Sequence, residues 1–76
     1  MSDEQLKAIA DGADMVVNGY AFTVDNDGNA RVVSLRPPYH ASLFDAHQQM
    51  LETSMDDIEL DIVRDYLTRN RDFLAA

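Results

Sequence analysis

The sequence contains no cysteine, only two prolines and three glycines, and only six basic residues among 76. Without cysteine there are no disulfides and no thiolate metal ligands, and the absence fits a reducing compartment. Six bases against fourteen acids give a formal charge of −8. Such a surface repels nucleic acid, because proteins bind it mainly through Lys and Arg that neutralise phosphates. It repels anionic membranes for the same reason. Apolar runs such as Met15-Val16-Val17 fall far short of a membrane span. The N-terminal MSDEQLKAIADGAD is acidic and lacks a signal peptide's apolar stretch, so a cytoplasmic protein is expected.

Catalytic signatures are missing too. There is no G-x-S-x-G, no P-loop and no G-x-G-x-x-G, and Ser42 and Ser54 sit in no recognisable elbow. His40 and His47, with Asp45 and Glu52 nearby, lack the H-x-x-x-H or H-E-x-x-H spacing that converges on a metal. Asp56/Asp57 and Asp61/Asp65 are carboxylate pairs on a wet helix face, where nothing pushes one member's pKa away from the other's. The expectation is a protein that is not an enzyme and binds no metal or cofactor. A chain of this length has one core, marginal in stability, and is expected to form a single domain spanning residues 1–76.

What is present is architectural. Ser2, with Gln5 three residues on, is a capping box for a short N-terminal helix over residues 2–11, with Leu6 and Ile9 on one face and Gly12 as its stop. Asn18-Gly19 is a two-residue hairpin signal, since a type I′ turn needs positive φ at both centres. It pairs Val17 with Tyr20 and Met15 with Phe22. Asp27-Gly28, read as a second such turn, pairs Val24 with Arg31, Phe22 with Val33 and Tyr20 with Leu35. Met15, Val17, Tyr20, Phe22, Val24, Val33 and Leu35 then share one face, interrupted by Arg31. The result is a three-stranded antiparallel meander with one apolar face. Asp25-Asn26-Asp27-Gly28 also resembles part of a calcium loop, but Thr23 and Ser34 stand where an EF-hand needs acids, so a turn is expected.

Arg36-Pro37-Pro38-Tyr39 ends the meander as an extended link. Residues 41–53, ASLFDAHQQMLET, fit either a helix or a second hairpin around Asp45-Ala46-His47-Gln48. The hairpin is preferred because Thr53-Ser54 already opens the next helix. From Met55 to Leu74 apolar residues recur with helical periodicity, at 55, 58, 62, 66 and 73, with 60, 63, 67 and 74 beside them. Acids at its start and Arg64, Arg69 and Arg71 in its later half suit the helix dipole. Asp57, Asp61, Arg64, Asp65, Thr68 and Asp72 fill the polar side. The apolar arc spans roughly 200°, about twice what a one-sided surface helix needs. Glu59 projects into that arc, either as a first-turn acid that helps cap its own helix and stays wet or as a specificity acid pairing with Arg31 or Arg36 across a domain or dimer contact, Arg31 being the matching oddity on the sheet.

Asn18-Gly19-Tyr20-Ala21-Phe22-Thr23-Val24, the Asp27-Gly28 turn and Glu52-Thr53-Ser54-Met55-Asp56-Asp57-Ile58-Glu59 together resemble a family of small bacterial proteins of unknown function. The resemblance spans most of residues 16–74. It implies no activity and favours an extended hairpin over a helix at 41–53.

The expected fold is α+β: a small antiparallel sheet, a meander extended by a second hairpin, with the C-terminal helix on its apolar face and a short N-terminal helix. The expected function is a non-enzymatic interaction module that self-associates as a homodimer. Its contact would use the surplus flank Leu60, Val63, Leu67 and Leu74, with Glu59 and Arg31 as a polar pair, and the edge strand as a further element. The alternative is an acidic inhibitor that mimics nucleic acid and binds a basic protein partner.

Overall fold

The computed structural model describes residues 2–75, and of Asp72 and Ala75 the backbone alone. The elements in chain order are α1 (Asp3–Gly12), β1 (Met15–Val17), β2 (Tyr20–Val24), β3 (Ala30–Ser34), β4 (Ala41–Phe44), β5 (Met50–Thr53), α2 (Asp57–Arg69) and α3 (Arg71–Ala75). The five strands form one antiparallel sheet in the order β1-β2-β3-β4-β5. The meander thus continues through the second hairpin, and the sheet has five strands rather than three.

The Ser2 capping box forms as the sequence predicts: the Ser2 hydroxyl accepts from the Gln5 N–H, and Gln5 accepts from the Ser2 N–H. Gly12, however, lies inside α1, and Ala13 in extended conformation ends it. The Asn18-Gly19 turn also forms, with positive φ at both residues and Val17 opposite Tyr20.

The second turn differs. Residues 25 and 29 close the hairpin, with the Asp25 N–H donating to the Asn29 carbonyl, so the loop holds three residues, Asn26, Asp27 and Gly28. Gly28 takes the left-handed position at φ 86. The Asp25 carboxylate fixes this shape by accepting from the Asp27 and Asn29 N–H groups, both at 2.9 Å. A three-residue loop of this kind is a type I turn with a glycine bulge. It moves the register by one residue, pairing Val24 with Ala30, Phe22 with Val32 and Tyr20 with Ser34.

A one-residue slip turns every side chain of β3 over. Ala30, Val32 and Ser34 therefore face the core, and Arg31 and Val33 face the other side of the sheet. The β4–β5 turn repeats the device. The Asp45 carboxylate accepts from the His47 and Gln49 N–H groups, and Gln48 takes the left-handed position at φ 64.

α2 crosses the core face and packs Leu60, Val63 and Leu67 against Phe22, Val32 and Phe44, all but Leu60 at 2% exposure or less. Tyr66 meets the Phe22 ring edge-on at 6.3 Å between centroids, and Arg64 lies over the Phe44 ring. The side of the helix that sequence periodicity assigned as surplus is thus the buried one, and Ile58 and Ile62 point outward. The cause is the N-cap. Asp56 caps α2 by accepting from the Glu59 N–H, and Met55, outside the helix, joins the same core from the segment before it. Once Met55 leaves the pattern, Leu60, Val63 and Leu67 define the helical stripe.

α1 lies against the opposite face of the sheet, beside β2, where Ala21 is 1% exposed. A recess of about 390 Å³ separates Ala8, Ile9 and Gly12 from Thr23, Arg31, Val33 and Leu43. Among the described residues no helix is long and apolar enough to cross a membrane.

Candidate functional site

The densest tertiary polar cluster joins the start of α2 to the sheet. Glu59 lies in the first turn of α2, on the flank that turns toward β2. Its carboxylate accepts from the Tyr20 hydroxyl at 3.0 Å and from His40 Nδ1 at 2.8 Å. An ionised carboxylate only accepts, so the imidazole proton sits on Nδ1. Tyr20 comes from β2, and His40 from the link between β3 and β4. The His40 and Glu59 side chains are 33% and 23% exposed.

The link is held in place by its own bonds. The Ser34 N–H donates to the His40 carbonyl, and the buried Ser34 hydroxyl donates to the Arg36 carbonyl. The Arg36 guanidinium donates to the Asn18 carbonyl and lies against Gly19, where a Cβ would come within 2.7 Å of Nε. Glycine at 19 therefore supplies both the turn's positive φ and the room for Arg36.

Burial raises the Tyr20 pKa above its ordinary value. The hydrogen bond to Glu59 and that residue's negative charge raise it further, while Arg36 works against the rise. The phenol is therefore neutral at physiological pH and donates to Glu59. Every described serine hydroxyl is bonded elsewhere: Ser2 to Gln5, Ser34 to Arg36, Ser42 to Thr53 and Ser54 to Ala41. The cluster is a clamp between helix and sheet, and among the described residues no hydroxyl is bonded to the imidazole.

The sequence singled out Glu59 as an odd carboxylate, and within the chain its partners are Tyr20 and His40. Arg31 lies on the far face of the sheet, so no Glu59–Arg31 pair forms within one chain, and Arg36 bonds to Asn18. Tyr20 and His40, 39 and 19 residues from Glu59, take its oxygens. His47 is exposed in the β4–β5 turn, remote in role from His40. Of the four flank residues, Leu60, Val63 and Leu67 are core and Leu74 packs partly buried against it.

The outward apolar side chains are Ile58 at 73% exposure, Ile62 at 38% and Phe73 at 63%. Ile58 and Ile62 are one turn apart on α2, and Phe73 lies on α3, beyond the Asn70 cap. Asp65 and Arg69 stand on the same side and pair with each other at 3.2 Å.

No curated protein and no solved structure matches the chain. A family model, described only as a family of unknown function, DUF7723, matches residues 3–74, and the chain belongs to that family.

Proposed function

We propose that the domain is a non-enzymatic interaction module that self-associates in the cytoplasm as a homodimer, through the outer side of α2 and α3. The observation that carries this reading is the exposure of Ile58 and Ile62, one turn apart on α2, together with that of Phe73 on α3, in a very small domain. Each chain carries a charge of −8, so two copies meet best where local charge cancels. The Asp65–Arg69 pair beside Ile62 meets that condition. An isologous contact places the same three apolar residues of both copies together. This replaces the flank Leu60, Val63 and Leu67, whose side chains are spent on the chain's own sheet.

Sedimentation over roughly a hundredfold concentration range tests it. The chain should pass from monomer to dimer, and Ile58→Ser with Ile62→Ser should remain monomeric without losing its fold. A wild-type chain that stays monomeric throughout contradicts the proposal. The charge also supports the second reading, an acidic inhibitor that occupies a basic nucleic-acid-binding surface. That activity must weaken steeply with salt.

A further inference from the structure

We propose that the outer edge of β5 is a strand-addition site for an extended, basic segment of a partner protein. β5 is the last strand in the sheet, and among the described residues only β4 pairs with it. All four of its residues are exposed, Met50 at 39% and Leu51 at 51%. An open edge presents unpaired N–H and C=O groups, and proteins usually protect such edges with lysine, proline or a covering element. β5 has no lysine or proline. The opposite edge, β1, is only three residues long, and its approach is tied down where the Asp14 carboxylate accepts from the Val24 N–H at 2.7 Å.

Charge selects the occupant. Arg64 lies over Phe44, and Phe44 pairs with Met50, so the Arg64 flank of α2 is the one above β5. Asp57 and Asp61, seven and three residues before Arg64, share that flank at helical spacing and are exposed. On the sheet's other face Glu52 stands at the rim of an open recess of about 600 Å³, with Leu43 and Ala41 in its floor and the one cation lining it, Arg31, two strands in from the edge on β3. A strand added to β5 sends alternate side chains to these two faces. Basic groups on it would meet Asp57 and Asp61 on one side and Glu52 on the other, with apolar groups against Met50, Leu51 and Leu43. A second copy fits this edge poorly. Each copy carries a charge of −8, and Glu52, Asp57 and Asp61 outnumber the single cation Arg64 along this edge, so two such edges repel where a basic segment is attracted. The mode is peptide addition to a sheet edge, in which the backbone supplies affinity and alternate side chains supply selection.

The test uses three short synthetic peptides: alternating lysine and valine, the same with glutamate for lysine, and the lysine peptide with alternate backbone nitrogens methylated. Amide shifts and hydrogen exchange of the full chain are followed by NMR. The lysine peptide should shift and protect the β5 amides, the glutamate peptide should not bind, and N-methylation should abolish the response. Glu52→Gln, Asp57→Asn and Asp61→Asn should each weaken binding roughly two- to fivefold. Ile58→Ser with Ile62→Ser should leave it unchanged, so this proposal and the self-association surface can fail separately. The proposal is overturned by equal binding of the methylated peptide, or by no β5 response at about millimolar peptide. Protection of β5 on concentrating the protein alone also overturns it, since the occupant is then a second copy.

Discussion

Replacing Glu59 by alanine removes both tertiary hydrogen bonds that tie α2 to Tyr20 and His40. A hydrogen bond to a charged group contributes about 1.5–3 kcal/mol when well buried. Here the side chains of the charged pair are 33% and 23% exposed, which lowers the worth of the His40 contact toward the about 0.2–1 kcal/mol of surface pairs. The Tyr20 contact is more sheltered, and its loss leaves a nearly buried hydroxyl without its acceptor, at about 1–2 kcal/mol. The expected cost of Glu59→Ala is therefore about 1–3 kcal/mol. For a domain of this size that lowers Tm by roughly 4–8 °C per kcal/mol.

Glu59→Gln keeps the shape but changes the charge and should cost less. A double-mutant cycle of Glu59→Gln and His40→Ala isolates the pair, with a coupling of about 0.5–1 kcal/mol expected from urea denaturation. A loss below about 0.3 kcal/mol for Glu59→Ala, or no coupling in the cycle, would refute the clamp.

Tyr20→Phe tests the same clamp by pH. The folded-state pKa of Tyr20 is raised, so its stabilisation is full below the unfolded value of about 10 and is lost as pH rises through the folded value. The stability difference between wild type and Tyr20→Phe should be constant near neutrality and shrink above about pH 10; a flat difference contradicts the assignment. Leu67→Ala, at a side chain 2% exposed, should cost about 2–5 kcal/mol, whereas Ile58→Ser at 73% exposure should cost under about 0.5 kcal/mol in dilute solution. The reverse order in urea titration would mean the helix is turned the other way. Gln48→Gly should stabilise by about 0.5–1 kcal/mol because it relieves the positive φ, while Gly19→Ala should destabilise by about 1 kcal/mol or more because Arg36 must also move.

Sequence reading worked where a turn's backbone demand is written in adjacent residues. Asn18-Gly19 fixed its hairpin because two consecutive positions need positive φ. The Asp25–Asn29 turn was misread by one residue because Asp27-Gly28 looks like the same signal. The decisive group was Asp25, whose side chain organises a longer loop, and the matching Asp45 turn carries no glycine at all. The small residues Ala30, Val32 and Ser34 gave no hydrophobic argument strong enough to oppose Val33 and Leu35.

The helix's inward side was illegible for a related reason. An apolar arc of roughly 200° has two equally good halves, and only the Asp56 cap, by excluding Met55 from the helix, breaks the tie. Glu59 could be recognised as out of place, since a carboxylate inside an apolar arc needs a partner. Its partners could not be named, because Tyr20 reads as an ordinary strand residue and His40 lies in a link whose path depends on the whole sheet.

Methyl NMR with a soluble paramagnetic agent, at low and at high protein concentration, tests the central claim most directly. Leu60, Val63 and Leu67 should be shielded at every concentration, while Ile58 and Ile62 are strongly relaxed when dilute and become shielded when concentrated. Ile58 and Ile62 relaxed equally at both concentrations, or Leu67 relaxed at either, would contradict the account.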